Sequence, residues 1–341
     1  MLESTDVARR TETVLGETMP REAARAAFHS VAIEVPPVRV TSGELAERLG
    51  ISEEWILSRT GIQERPVAGA DERLSDYAAR AGAAALERAG VDGSELDLVL
   101  VATITADEVT PNAAPLVAHA LGADRAGAFD IGSACTGFLS AVATGAAQIE
   151  SGRARWVLVV GADFITRVLD WEDRKSAPLF SDAAGAAILG PADGEQGVIG
   201  PIVLGADGSN GEKIFIPNPD RKLRMDGPEV YKHAVARMAE STLEALDRAR
   251  MTVDDVDLFV YHQANARITR ALGERLGVEP ERVVDCIAQY GNSSAATLPL
   301  ALAFAERDGR LRPGARVVLG AFGGGFTWGG GVIEWGGRAD A

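Results

Sequence analysis

The chain has 341 residues, of which 46% are hydrophobic and 24% are charged, and its formal net charge is −15. This composition is typical of a folded globular protein with one large domain or two halves sharing a core, and the acidic balance argues against nucleic-acid binding, which needs a basic face. No apolar run approaches about 18 residues, so we expect no membrane span, and the N-terminus lacks the basic start and apolar stretch of a secretory signal.

Short apolar runs alternate with Ala-rich helical stretches from about residue 26 onwards. Residues 1–25 are polar and lack clear periodicity, which predicts a poorly ordered extension. Apolar strands separated by helices are typical of an α/β fold with covered sheets. The predicted strands are Leu98–Ala102, Val157–Val160, Leu258–Tyr261 and Val317–Leu319, and the predicted helices are Leu74–Ala89, Gly137–Glu150, Tyr231–Ala249 and Ala295–Glu306.

The sequence also repeats itself. Residues 91–103 resemble residues 251–263 at an offset of 160, and residues 135–163 resemble residues 292–324 at an offset of 157 that becomes 160 at the strand. Such constancy favours a duplicated fold, although any two strand–helix units look somewhat alike. The predicted halves are residues 26–196 and 197–341.

The repeat places reactive side chains at corresponding points of the two halves. It pairs Cys135 with Asn292 between a loop and a helix, and it places His262 where Ala102 ends a strand in the first half. Ligands of α/β folds bind where strand ends and helix starts meet. The sequence therefore predicts a site at the seam of the two halves.

Cys135 follows a short strand and precedes an apolar helix. A helix N-terminus favours the thiolate, which would make Cys135 a nucleophile; the alternative is a buried, inert cysteine. Cys286 has none of these features and is interpreted as structural. Two cysteines without an export signal predict a reducing, cytoplasmic compartment.

Three further features could complete a site around Cys135. His262 could project from a strand end into a cavity, although a lone histidine is more often structural. Asn292 could equally cap the following helix. The glycines Gly323–Gly325 favour close approach of the backbone to a ligand, so the N–H groups of Gly324 and Cys135 could stabilise an oxyanion.

Together these segments resemble β-ketoacyl-acyl-carrier-protein synthase III, a thiolase-like condensing enzyme. The likeness extends from about residue 40 to 335. It implies a duplicated thiolase-like fold, with two α/β halves in layers ordered α-β-α-β-α. The motifs that carry it are EEWILSRTGIQER (53–65), FDIGSACTGF (129–138), LRMDGPEVYKHAV (223–235), YHQANARI (261–268), GNSSAATLPLAL (291–302) and AFGGGFTWGGG (321–331).

The resemblance implies a two-step reaction on a Cys–His–Asn triad, Cys135, His262 and Asn292. Cys135 would accept an acyl group from acyl-CoA. His262 and Asn292 would then stabilise the enolate that forms when malonyl-acyl-carrier protein loses carbon dioxide, as neutral hydrogen-bond donors. Gly324 matches the oxyanion-hole glycine. The family assignment also implies a homodimer that starts fatty-acid or polyketide chains, without a metal or a tightly bound cofactor.

The resemblance assigns substrate contacts as well. Trp55 and Arg174 match the pair that sandwiches the adenine of CoA, and Arg59 matches a phosphate contact. Asn265 and Arg267 match residues that line the pantetheine channel.

The acyl pocket and the carrier-protein docking face are further expectations. Arg267 and Arg270 lie three residues apart on a predicted helix, and we interpret them as a docking face for the acidic carrier protein, with scattered surface arginines as the alternative. Phe180 and Phe322 are expected at the acyl pocket. Thr110 stands where the partner subunit of some acetyl-preferring members inserts a phenylalanine, and this smaller residue could admit branched or longer primers.

Departures from the family pattern leave other functions open. Ser181 and Ala183 replace usual glycines near the pocket wall, which leaves room for a specialised enzyme of secondary metabolism. The acyl group on Cys135 could then pass to an oxygen or nitrogen acceptor. A cysteine hydrolase is a remote alternative, because the order Cys, His, Asn is papain-like but the surrounding residues are not. The intact triad argues against a non-catalytic partner subunit.

Overall fold

The computed structural model describes residues 25–192 and 197–336. Apart from Arg25, the predicted extension at residues 1–25 lies outside this part of the chain. The strands are β1 (Ala26–Glu34), β2 (Arg39–Thr41), β3 (Glu64–Pro66), β4 (Leu98–Ala102), β5 (Gly127–Ile131), β6 (Val157–Phe164), β7 (Asp182–Pro191), β8 (Ile199–Ala206), β9 (Ile214–Phe215), β10 (Arg224–Met225), β11 (Leu258–Tyr261), β12 (Arg316–Gly323) and β13 (Thr327–Glu334). The helices are α1 (Ser42–Leu49), α2 (Glu53–Thr60), α3 (Leu74–Ala89), α4 (Ala113–Ala120), α5 (Gly137–Glu150), α6 (Gly227–Ala249), α7 (Ala266–Leu276), α8 (Ile287–Tyr290) and α9 (Thr297–Arg307).

Two sheets of the same design form the framework. The first has the order β1-β7-β6-β4-β5 and the second has the order β11-β12-β13-β8. In the first sheet β4 is parallel to both β5 and β6, and in the second sheet β11 is parallel to β12; the remaining neighbours in both sheets are antiparallel. Leu98 pairs with Val157 in the first sheet, and Leu258 pairs with Val317 in the second, so both partners are shifted by 160 residues. The predicted duplication is confirmed.

The helices form three layers around the sheets. The apolar helices α5 and α9 share one core with the inner faces of both sheets. The outer face of the first sheet packs against α3 and α4, and that of the second packs against α6 and α7. The predicted α-β-α-β-α arrangement is thereby confirmed. No helix in the described ranges is long and apolar enough to cross a membrane.

Small residues let the central layer pack closely. A Cβ atom on Gly145 of α5 would lie 3.1 Å from side-chain carbons of Leu189 and Val157. A Cβ atom on Gly161 of β6 would lie 2.3 Å from the carbonyl oxygen of Ala295. The first contact holds α5 against its own sheet, and the second brings the turn before α9 onto a strand of the other half.

Four of the eight predicted elements have the predicted bounds, whereas β6 and β12 are longer than predicted and two helices begin at other residues. β4, β11, α3 and α5 have the predicted bounds. The long helix α6 begins earlier, at Gly227, where the side chain of Asp226 accepts a hydrogen bond from the N–H of Glu229. The helix predicted from Ala295 begins at Thr297, because Ser294–Ala296 form a separate 3₁₀ turn.

The structure corrects one predicted pairing of the repeat. The turns Ala134–Thr136 and Ser294–Ala296 precede α5 and α9 in the same way, and both begin on a residue with positive φ, 45° at Ala134 and 53° at Ser294. At the offset of 160, Cys135 therefore corresponds to Ala295. Asn292 lies three residues earlier, so its predicted equivalence to Cys135 is wrong. The sequence comparison matched the turn of the first half with the loop before the turn of the second half, whereas the structure matches the two turns with each other.

Candidate active site

An apolar cavity of about 430 Å³ opens beside Cys135 at the seam of the two halves. Phe180 lines this cavity, as predicted for an acyl pocket. Phe322 does not line it: its ring packs 4.9 Å from that of Phe326 in the core of the second half. The lining residues are Ile104, Val109, Ala134, Cys135, Ile165, Phe180, Ile214, Phe215, Ile216, Asn218, Arg221, Leu223, Ser294 and Gly324.

Thr110 is exposed and does not line the cavity of its own chain. Its neighbour Val109 does line the cavity and is 88% exposed. The expectation for Thr110 concerned the cavity of a partner subunit, which a single chain leaves as a prediction.

Cys135 is the middle residue of the turn Ala134–Thr136, directly before α5. Cys135 is 7% exposed. Burial raises the pKa of the Cys135 thiol to about 12; the nearby Ser294 hydroxyl lowers it and the charge of Asp163 raises it further. The sequence predicted that the helix start would favour the thiolate. In the structure, the loss of solvent around the sulfur raises the pKa more than the position before a helix lowers it. The resting sulfur is a thiol.

The oxyanion contacts expected of Cys135 and Gly324 are close in space. The Cys135 N–H belongs to the first residues of a helical turn, which lack partners within the turn. Gly324 lines the same cavity. A Cβ atom on the preceding Gly323 would lie 2.8 Å from the Cβ atom of Cys135, so only glycine lets the end of β12 pass this close.

His262 follows the last residue of β11 and is buried. Its Nδ1 atom lies 2.5 Å from Oγ1 of Thr297, the first residue of α9. Burial lowers the pKa of His262 to about 3, so the imidazole is neutral at neutral pH. A neutral ring agrees with the expected role as a hydrogen-bond donor.

Asn292 is fixed by its backbone and by its own side chain. Its N–H donates to the carbonyl of Leu179 and its carbonyl accepts from the N–H of Ser181, each at 3.0 Å. Its Oδ1 atom accepts from the N–H of Ser294 at 2.9 Å, which is the local capping bond considered as the alternative role. That bond leaves the Nδ2 group as the free donor of the amide.

Asp163, near the end of β6, hydrogen-bonds groups from both halves of the protein beside this site. Its Oδ1 atom accepts hydrogen bonds from the Thr103 hydroxyl at 3.1 Å, the Ile104 N–H at 2.9 Å and the Thr105 hydroxyl at 2.9 Å. Its Oδ2 atom accepts from the N–H of Ala295 at 3.2 Å. Burial raises the pKa of this carboxyl, and these bonds oppose that shift. Asp163 thus joins a loop of the first half to the turn of the second.

The residues expected to contact CoA lie outside the cavity lining, around α2. The Arg59 guanidinium lies 4.4 Å from the centroid of the Trp55 ring, and the Nδ2 group of Asn265 donates to the Arg59 carbonyl at 2.9 Å. Arg174 instead donates through Nε to the carbonyl of Leu49 at 3.0 Å. Arg59 is thus the arginine that stacks on Trp55, and the sandwich of the CoA adenine between Trp55 and Arg174 stays a prediction.

Arg267 and Arg270 both project from the exposed side of α7, while Ile268 and Thr269 between them are buried. The Arg267 guanidinium lies 5.5 Å from the centroid of the Tyr231 ring. Within the described ranges neither arginine forms an ion pair, which leaves both charges available to an anionic surface.

Comparison with known proteins identifies the family. The model of 3-oxoacyl-[acyl-carrier-protein (ACP)] synthase III matches residues 129–208, and the model of its C-terminal part matches residues 246–335. The chain is 42% identical over 319 residues to β-ketoacyl-[acyl-carrier-protein] synthase III of Erythrobacter litoralis, covering 91% of this chain and 99% of that one. The chain belongs to the 3-oxoacyl-[acyl-carrier-protein] synthase III family.

Solved structures of this family have the same fold. The synthase III of Pseudomonas aeruginosa is 39% identical with a TM-score of 0.89, and the match covers 93% of this chain and all of that one (100%). The priming β-ketosynthase of the R1128 polyketide biosynthetic pathway is 38% identical with a TM-score of 0.88, over 94% of this chain and 99% of that one. The family and the enzyme class expected from the motifs are confirmed.

Proposed function

We propose that the protein catalyses decarboxylative Claisen condensation of an acyl-CoA primer with malonyl-acyl-carrier protein, to start a fatty-acid or polyketide chain. The observation that carries this proposal is the position of Cys135 in an apolar cavity, beside a turn that holds both partners of the triad. Asn292 hydrogen-bonds that turn through Ser294, and His262 contacts Thr297 directly after it. The family of the chain supports the same reaction.

In the first step, the Cys135 sulfur attacks the thioester carbonyl and gives up its proton. The N–H groups of Cys135 and Gly324 stabilise the oxyanion. Collapse of the intermediate expels the sulfur of CoA, which takes up a proton and leaves as the free thiol. The acyl chain then lies in the apolar cavity, whose volume of about 430 Å³ suits an apolar primer.

In the second step, malonyl-acyl-carrier protein loses carbon dioxide, and His262 and Asn292 stabilise the enolate oxygen as neutral donors. The enolate carbon attacks the acyl-cysteine carbonyl, and the Cys135 sulfur leaves as a thiolate that takes up a proton from solvent and becomes the resting thiol again. Since decarboxylation drives carbon–carbon bond formation, the proposed reaction needs no resident metal or cofactor. The exposed pair Arg267 and Arg270 would meet the acidic carrier protein.

We also propose a homodimer formed along β5. This strand is an edge of its sheet, and Phe129 in its middle is 46% exposed, a combination that favours pairing with another strand. The side chain of Asp130 accepts hydrogen bonds from Ala113 and Ala114 at the start of α4. The loop carrying Val109 ends there, so a copy docked on β5 would approach the cavity. The cytoplasm is the proposed compartment, because both cysteines are free.

Substitution of the triad separates the two steps. Cys135→Ala should abolish covalent labelling by radioactive acyl-CoA, while His262→Ala and Asn292→Ala should still become acylated but fail to release carbon dioxide from malonyl-acyl-carrier protein. Cys286→Ala serves as the matched control and should retain both steps. Labelling of Cys135→Ala would contradict the nucleophile, and ester or amide formation without carbon dioxide release would favour an acyltransferase with an oxygen or nitrogen acceptor.

A further inference from the structure

Two threonine hydroxyls join the turn that carries Cys135 to the loop that carries Gly324. Thr136, the last residue of the turn Ala134–Thr136, is buried. Its Oγ1 atom lies 2.9 Å from Oγ1 of Thr327, the first residue of β13, and the Thr327 hydroxyl lies 3.1 Å from the carbonyl oxygen of Gly324. The turn belongs to the first half and the loop to the second, so this contact crosses the seam beside the cavity.

The hydrogen bond between the two threonines is present however their protons are arranged. A hydroxyl has one proton to donate and can also accept, and Oγ1 of Thr136 lies 2.7 Å from the carbonyl oxygen of Ser133 as well. If Thr136 donates to Thr327, Thr327 can donate to the Gly324 carbonyl. If Thr136 donates to the Ser133 carbonyl, Thr327 donates to Thr136, since two oxygens 2.9 Å apart with no proton between them repel each other. Either arrangement links the two halves.

The corresponding turn of the second half forms without such a link. At the offset of 160, Thr136 corresponds to Ala296, which has no hydroxyl. Ser133 corresponds to Ser293, whose Oγ atom has no hydrogen-bond partner among the described residues. Both turns nevertheless close with the same backbone hydrogen bond, 3.1 Å from the N–H of the last residue to the carbonyl of the residue before the turn. The turn itself therefore does not require the hydroxyl link, and the place of the link beside Cys135 points to a role in the site.

The link bears on the N–H groups assigned to the oxyanion. Gly324 is the first of three residues between β12 and β13. The far end of this loop is tied separately, because Phe326 exchanges two backbone hydrogen bonds of 2.8 Å with Asp207. The glycines Gly323–Gly325 have no side chain that could fix the near end, and glycine has the greatest backbone freedom of any residue. The threonine contact supplies a fixed point between the loop and the turn.

We infer that Thr136 and Thr327 are positioning residues whose hydrogen bond sets the separation of the N–H groups of Cys135 and Gly324. An oxyanion donor is effective only at about 2.7–3.1 Å from the oxygen, so a small change in this separation weakens the site. The inference rests on the proposed function in assigning the two N–H groups to the thioester oxyanion. Neither threonine lines the cavity, so both act through the backbone without touching substrate.

The first test measures acylation of Cys135 by acetyl-, butyryl- and octanoyl-CoA in the full-length protein. Thr136→Val and Thr327→Val keep the branched shape without the hydroxyl. Each should lower the maximal acylation rate by about tenfold and leave the half-saturating acyl-CoA concentration unchanged, and Thr136→Ser should restore the rate. The double variant should be no slower than the slower single variant, because both changes remove the same hydrogen bond. Thr144→Val is the matched control on α5, since the Thr144 hydroxyl donates only to the Ser140 carbonyl of its own helix at 2.8 Å; it should leave the rate unchanged.

The second test observes the oxyanion site in the acylated protein. When the acyl carbonyl carries ¹³C, difference infrared spectra separate its band from those of the protein, and hydrogen bonds to the carbonyl oxygen lower the frequency of that band. The band of acylated Cys135 should move to higher frequency in Thr136→Val and Thr327→Val, whereas loss of folded protein would weaken the band without moving it. Normal acylation rates, additive losses in the double variant or an unmoved band would overturn the inference. If none of the three acyl-CoAs acylates the unsubstituted protein, the proposed function is contradicted instead.

Discussion

Cys135 and His262 are both uncharged in the resting protein, because each is buried. Burial raises the pKa of the thiol and lowers that of the imidazole, and both shifts disfavour the charged form. A charged Cys⁻–His⁺ pair is therefore not the resting state of this site. In the proposed reaction, the thiol therefore loses its proton during the attack on acyl-CoA.

The pH dependence of alkylation checks whether Cys135 is a thiol in the resting protein. A raised pKa means that the thiolate fraction keeps growing with pH, so the rate of Cys135 alkylation by iodoacetamide should rise through the ordinary thiol value of 9.0 without a plateau. Cys135→Ala measures the background from Cys286, whose thiol is also buried with a raised pKa. A plateau below pH 9.0 would show that the helix start lowers the pKa after all.

At the scale of elements, the end of β12 decides whether the turn that carries Cys135 can form. Gly323 is the last residue of this strand, and it faces the backbone of Cys135 with no room for a side chain. The strand belongs to the second half and the turn to the first. The cysteine is thus seated by a contact between halves, in addition to its own strand and helix.

Gly323→Ala should therefore disturb the site more than the fold. The added Cβ atom would lie 2.8 Å from Cβ and 2.9 Å from N of Cys135, and overpacking of this kind costs about 1–3 kcal/mol. We expect a lower melting temperature and a loss of Cys135 acylation of about tenfold or more, measured by intact-protein mass spectrometry. Gly132→Ala is the control, since a Cβ atom there meets nothing within 4 Å. Normal acylation of Gly323→Ala would refute the close contact.

The sequence predicts elements well and contacts between elements poorly. β4 has the predicted bounds because Leu98–Ala102 is an unbroken apolar run with polar flanks. The contact of His262 with Thr297 joins residues 35 positions apart and depends on how α9 packs against β11. Ser294 and Asp163 were missed for the same reason, since serines and aspartates are common and only the packed halves bring these two to the site. The burial that raises the pKa of Cys135 is likewise a property of the assembled core.

At the scale of the whole molecule, the proposed dimer joins two five-stranded sheets through β5. Both copies would offer the same strand across a twofold axis, so Phe129 of one copy would lie near Phe129 of the other. Val109 lines the cavity and is 88% exposed in the single chain. In the proposed dimer, the second copy would cover this exposed side of the cavity.

Phe129→Glu should separate the copies. The substitution places two carboxylates close together in a formerly apolar contact, where like charges are costly. We expect a monomer at micromolar concentration by size-exclusion chromatography with light scattering. Leu243→Glu, on the exposed side of α6 and 50% exposed, should leave the dimer intact. A monomeric unsubstituted protein, or a dimeric Phe129→Glu variant, would contradict the proposal.

The turn that occurs twice has a consequence for how such a site can change during evolution. Ala134 and Ser294 adopt the same uncommon backbone conformation with different side chains, so the conformation belongs to the duplicated framework and does not depend on one residue type. Under the proposed function, the two halves then specialise separately: one holds the group that carries the acyl chain, and the other holds the groups that stabilise the incoming carbanion. Selection on primer choice can therefore reshape the wall beside the first turn while the second turn keeps the chemistry of carbon–carbon bond formation.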